Sequence, residues 1–238
     1  MAWRIALAAL LLGWSAASYA RHSFAVLDPR KASPGLSLQL AEVPSGGNGN
    51  GVRYALRAAG FPQSVTFGVW TRDFGRDFQE LMSGIQFDAK GVPSGTDLAK
   101  GADRIEVDSG PYPKGAAWMV AIASEDHKLA AFARVIPHPI EVRDGRCAVS
   151  LELVSLYGTR FVASGTGFAP GEDVRIESIS GTLVTYRTLR ISADGSLPID
   201  VVSHGKIGVA QSARYTVKAR GCQPVINYEW GEPALRRY

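Results

Sequence analysis

Four histidines, two cysteines and one group of carboxylates are the residues of this chain whose types bear on chemistry. His22, His127, His138 and His204 are scattered along it. No two stand one helical turn apart and none adjoins a cysteine, so the spacing of a zinc site is missing. They read as exposed loop residues. The densest acidic group is Asp73, Asp77, Glu80 and Asp88. Two carboxylates facing one cleft would suit glycoside hydrolysis, and a tighter cluster would suit calcium. Here Arg72 and Arg76 are interleaved with them, and Phe74, Phe78 and Leu81 supply an apolar face. The pattern therefore reads as the solvated side of a short helix near residues 73–82. No G-x-S-x-G elbow is present to place a nucleophilic serine. Gly46-Gly47-Asn48-Gly49-Asn50-Gly51 carries Asn where a calcium-binding repeat has carboxylates, and it occurs once, so it reads as a hairpin turn. No catalytic residue, metal ligand or cofactor is assigned from the sequence.

The two cysteines do suggest chemistry. Cys147 and Cys222 form an even pair without a C-x-x-C motif, which in an oxidising compartment reads as one structural disulfide. The first twenty residues point to the same compartment. Arg4 is followed by an apolar run from Ile5 to Trp14, then by small residues up to Ser18-Tyr19-Ala20. That is the layout of a cleaved signal peptide over residues 1–20, with an apolar run too short to span a membrane. No second run of that kind follows, so the mature chain is expected to be exported, periplasmic or extracellular, with no transmembrane segment.

Composition bounds the rest. Removing the leader leaves about 218 residues, enough for two domains of ~100 residues or one large one. Hydrophobic residues make up 46% of the chain, so each half can build a core. The formal charge is only +4 and charges of both signs alternate along the chain, which excludes a dedicated nucleic-acid surface.

The elements that must position these residues are strands. Arg53–Phe61 aligns without a gap on Arg160–Phe168, and each copy runs from an aromatic through a period-2 segment to Gly-Phe. A period of this length marks two tandem domains. Leu36–Leu40, Val65–Trp70, Asp173–Glu177 and Tyr215–Ala219 are further strand-like runs, separated by short turn signals. Each half closes with paired segments, Ala117–Ser124 with Leu129–Ile136 and Ala213–Ala219 with Cys222–Tyr228. Pro137-His138-Pro139 stands between the halves as a stiff linker. The expected order is a first sandwich over 21–136, the linker at 137–139, a second sandwich over 140–229 and a tail over 230–238.

Ser164-Gly165-Thr166-Gly167-Phe168-Ala169-Pro170-Gly171-Glu172-Asp173-Val174-Arg175-Ile176 resembles the G-x-G-F-x-P-G-x-x-V-x-I stretch of bacterial Ig-like domains of the IPT/TIG type. The resemblance covers a strand–turn–strand unit in each half. In the first half Gly60-Phe61-Pro62-Gln63 lacks the Pro-Gly turn. It implies an all-β fold of two tandem Ig-like antiparallel sandwiches, of the kind that serve exported proteins as spacers, adhesive units or carbohydrate-binding accessories.

Two functional readings follow. The first is a non-enzymatic binding, adhesion or envelope-assembly protein, whose partner is a protein or an envelope polysaccharide. Its candidate contact residues are Trp230, Arg236, Arg237 and Tyr238 in the tail, types enriched at interface hot spots. On this reading deletion of Gly231–Tyr238 spares the fold. The second is a secreted hydrolase or carbohydrate-active protein with a site around Trp70–Asp88.

Overall fold

The computed structural model describes residues 27–44, 51–98, 102–205 and 211–238. The proposed leader over 1–20, His22 and the glycine-rich stretch 45–50 lie outside the described residues.

Alternating burial makes the strands. In Cys147–Leu153, Cys147, Val149, Leu151 and Leu153 turn inward, while Ala148, Ser150 and Glu152 turn away from the core. That period of two is what a half-buried antiparallel strand requires. The first half supplies β1 (Ser37–Val43), β2 (Arg53–Ala59), β3 (Phe67–Arg72), β4 (Gln79–Phe87), β5 (Pro93–Ser94), β6 (Ile105–Asp108), β7 (Trp118–Ser124) and β8 (Ala130–Val135). The second supplies β9 (Ile140–Asp144), β10 (Cys147–Leu153), β11 (Arg160–Thr166), β12 (Asp173–Ser180), β13 (Leu183–Arg190), β14 (Leu197–Ser203), β15 (Gln211–Lys218) and β16 (Val225–Trp230).

The chain folds as two tandem Ig-like antiparallel β-sandwiches. In the first, the sheet β1-β2-β6 faces β5-β4-β3-β7-β8. In the second, β9-β10-β11-β14 faces β13-β12-β15-β16. All four sheets draw their strands from one side of Pro137–Pro139 only. The orders match strand for strand, β1-β2-β6 against β10-β11-β14 and β4-β3-β7-β8 against β13-β12-β15-β16. The second sandwich adds β9, and the first adds the two-residue β5.

The repeated Gly-Phe has a shared cause. Gly60 and Gly167 hold φ of +83° and +82°, and at each a Cβ would run into a main-chain carbonyl, that of Gly35 or Arg146. Glycine alone meets both demands. The turn then delivers Phe61 and Phe168 into the two cores, where Tyr54 and Phe161 are buried as well.

One segment departs from its sequence pattern. Asp73–Met82 is a turn followed by the start of β4, not a helix. Gly75 sits at φ +75°, which interrupts a helical run, and Gln79 and Glu80 pair with Thr71 and Trp70 of β3. Phe78 is buried while Leu81 is 49% exposed, so the two do not share an apolar face. Phe78 instead joins Trp70, Met119, Ala121 and Phe132 in a small cluster outside the five-stranded sheet. That cover is why every residue of β7 is buried.

The main core runs without a break from one sandwich into the other, and Ala116 and Leu153 both belong to it. Leu153 N–H donates to Gly115 C=O at 2.9 Å, and Gly115 N–H donates to His138 C=O in the linker at 2.7 Å. Arg134 of β8 and Glu152 of β10 form an ion pair over the same junction.

Cys147 and Cys222 are bonded, with Cα atoms 6.3 Å apart. Cys147 begins β10, and Cys222 lies in the turn between β15 and β16 rather than in the last strand. The bridge therefore ties one sheet of the second sandwich to the other.

Candidate binding site

The tail residues fall into two environments. Trp230 ends β16 and is only 4% exposed, its ring stacked on His204 at 4.9 Å. Neither face of the indole is left open as a platform. Beyond it the chain turns back to the first sandwich. Tyr238 and Tyr112 exchange main-chain hydrogen bonds, and Arg237 Nη1 stands 3.8 Å from Asp73 Oδ2. Arg236 and Arg237 are exposed, and Lys114 Nζ lies 4.2 Å from the centre of the Tyr238 ring. The tail is thus docked on its own chain, while its two arginines face solvent.

The acidic group is dispersed in role. Asp73 pairs with Arg237. Asp88 Oδ1 accepts from the N–H groups of Lys90 and Val92, each at 2.8 Å, and so shapes its own turn. Glu80 borders a niche of about 190 Å³ with Trp70 and His127, in which Trp70 Nε1 is buried without a partner. Among the described residues no three His, Cys, Asp or Glu side chains gather as a metal would need.

Sequence reasoning missed a polar network inside the second sandwich. Asp200 is 5% exposed and takes a forked contact from Arg187, Nη1 to Oδ1 at 2.6 Å and Nη2 to Oδ2 at 2.8 Å. Tyr215 Oη also donates to Asp200 Oδ2 at 2.8 Å. Burial first, and then Asp200, push the Tyr215 hydroxyl pKa far up, so it remains a donor. Nearby, His204 Nε2 and Tyr228 Oη share a hydrogen bond at 2.7 Å. Burial lowers the His204 pKa to about 4, so the ring is neutral at ordinary pH. These contacts link β13 with β14 and β15, and the end of β14 with β16.

Two surfaces stand out among the described residues. On one edge of the second sandwich, β13 and β14 expose Leu183, Val184, Tyr186, Ile199 and Val201, with Leu183 at 64% and Ile199 at 76%. The Arg187–Asp200 pair ties these two strands across the edge. On the opposite edge a groove of about 520 Å³ runs between β9 and β16 and reaches Lys114 and Tyr238 at the junction. Ile140 to Val142 and Val225 to Glu229 wall it as unbroken runs. Nothing in the sequence marked these residues, because an edge strand and a central strand carry the same alternation.

Neither a family model nor a curated protein matches the chain. Among solved structures, it is similar to a tetra-tandem repeat in the extending region of a large adhesion protein, at 14% identity and a TM-score of 0.29. That match covers 82% of this chain and 48% of the other, so the chain spans about half that structure's length. It is also similar to the FN1–FN3 domains of chicken CNTN1, at 11% identity and a TM-score of 0.24, covering 84% and 69% of the two chains. Likenesses at this level assign no ligand and no activity. Among the described residues no helix is long and apolar enough to cross a membrane.

Proposed function

We propose that this chain is an exported, non-enzymatic binding protein that works in adhesion or envelope assembly through the surfaces of its two sandwiches. The observation that carries this reading is the number of large apolar side chains left exposed on the neighbouring strands β13 and β14. Five large exposed apolar side chains on two neighbouring strands exceed the scattered single residues of an ordinary surface, and such a concentration marks a contact region. The inter-sheet disulfide supports an oxidising location. The partner is proposed to be a protein or an envelope polysaccharide. Of the tail residues, Arg236, Arg237 and Tyr238 are the ones proposed to reach a partner, with Trp230 supporting them from inside.

The test is retention of native envelope components on the immobilised protein, compared with the Leu183→Ser, Ile199→Ser variant. Both positions are exposed, so the variant is expected to melt like the parent and to lose the retained component. Equal retention would remove β13 and β14 from the interface. Hydrolysis of a polysaccharide or ester that Asp73→Asn or Asp77→Asn abolishes would replace the binding reading with an enzymatic one.

A further inference from the structure

The groove between β9 and β16 is walled by main chain. In a strand, neighbouring side chains point to opposite faces. A groove that touches five successive residues of β16 therefore meets the strand's edge. The register shows which groups lie there. Val217 N–H donates to Pro224 C=O, and Thr216 stands opposite Val225. Antiparallel pairs alternate between bonded and non-bonded. Ile226 and Tyr228 thus bond to β15, while Val225, Asn227 and Glu229 turn their N–H and C=O groups toward the groove. No other main-chain bond among the described residues takes them up.

The first sandwich shows the same edge occupied. Its equivalent of β16 is β8. There the segment ahead of β1 lies against the edge, with Ser33 N–H donating to Ala130 C=O at 2.8 Å and Ala130 N–H donating to Ser33 Oγ at 3.0 Å. In the second sandwich β9 pairs only with β10, and the edge of β16 stays open.

Charge narrows the occupant. Glu141 and Glu229 both line the groove and are exposed. Neither is ion-paired among the described residues, although ten other pairs form there. Ile140, Val142 and Ala234 give the walls apolar surface, and the one cation of the lining, Lys114, stands at the junction end against the Tyr238 ring.

We propose that this groove accepts an extended peptide as an added strand on β16, with alternate apolar side chains directed inward and cationic side chains set against Glu141 and Glu229. Main-chain bonds supply the affinity of strand addition, and side-chain pockets and charge select the sequence. The proposal is independent of the β13–β14 surface, which lies on the opposite edge, so either can fail alone.

The test uses the full chain and two fluorescein-labelled peptides, Val-Arg-Val-Thr-Val-Arg-Val and the same peptide with Glu in place of Arg. Fluorescence anisotropy should show the Arg peptide binding about tenfold tighter, the ratio expected of two exposed charge pairs. Hydrogen exchange should show new protection at the Asn227 and Glu229 amides. Asn227→Pro removes an N–H that faces the groove and no ladder bond, so it should keep the melting temperature and lose binding. Glu141→Gln with Glu229→Gln should abolish the preference for the Arg peptide, and it decides the matter if the proline variant does not fold. Equal binding of the two peptides, no binding of either, unprotected amides, or a preference that survives the double substitution would overturn the proposal.

Discussion

Tyr112 N–H donates to Tyr238 C=O at 3.1 Å, and Tyr238 N–H donates back to Tyr112 C=O at 3.2 Å. The last residue of the chain is thereby paired with the loop that leads into β7 of the first sandwich. Tyr112 is wholly buried, and its hydroxyl donates to Ala117 C=O at 2.9 Å. Burial pushes its pKa up to about 12, which keeps it a donor.

Removing Arg236–Tyr238 should therefore weaken the coupling of the two sandwiches. The loss of two main-chain bonds and the Tyr238 packing is expected to cost about 2 kcal/mol. Calorimetry should resolve two transitions in the truncated chain where the full chain shows one.

Reducing the disulfide should act on the second sandwich. The bridge closes a 75-residue separation, which in the chain-entropy model corresponds to about 4.5 kcal/mol. Melting with and without reductant, followed by tryptophan exchange protection, should show Trp230 exposed earlier and Trp118 much less affected.

Acid should destabilise the same sandwich through His204. Its folded pKa is about 4 against an ordinary 6.5. The folded state therefore resists a proton that the unfolded chain accepts below pH 6.5. Stability is complete above 6.5 and falls as the pH drops toward 4. The ring is only half-buried, so solvent screening limits the loss to about 1–2 kcal/mol. Urea titrations between pH 7 and 4 should show the decline, and His204→Phe should flatten it.

Gly167→Ala should cost roughly 2–4 kcal/mol, because it combines a left-handed backbone with a collision against the Arg146 carbonyl. Gly145→Ala, also at positive φ but with open space for a Cβ, should cost less. Denaturant midpoints would separate the two.

Asp200→Asn should cost about 2–3 kcal/mol, since it strands Arg187 and leaves Tyr215 with a weaker acceptor. Tyr215→Phe removes one bond and should cost about 1 kcal/mol. Thermal melts of both variants check the order.

The tandem sandwiches were legible because the repeat Arg53–Phe61 and Arg160–Phe168 records a local demand, an αL glycine next to a carbonyl followed by a buried ring. The helix expected over 73–82 was not, because Phe74, Phe78 and Leu81 have helical spacing but Phe78 packs outside the sheet in a contact set by tertiary structure. Trp230 was read as a surface residue from its place past the last strand-like run, whereas it completes β16. The groove left no trace in the sequence, since Asn227 and Glu229 differ from central-strand residues only in having no neighbour.

The Tyr112–Tyr238 pair also sets how the molecule would carry tension. A pull between Leu27 and Tyr238 enters through the first sandwich, reaches Tyr112 and passes across the two hydrogen bonds to the last residue. The second sandwich, with its disulfide and its groove, lies on a side loop of that path. It is shielded from part of the load while the clasp holds.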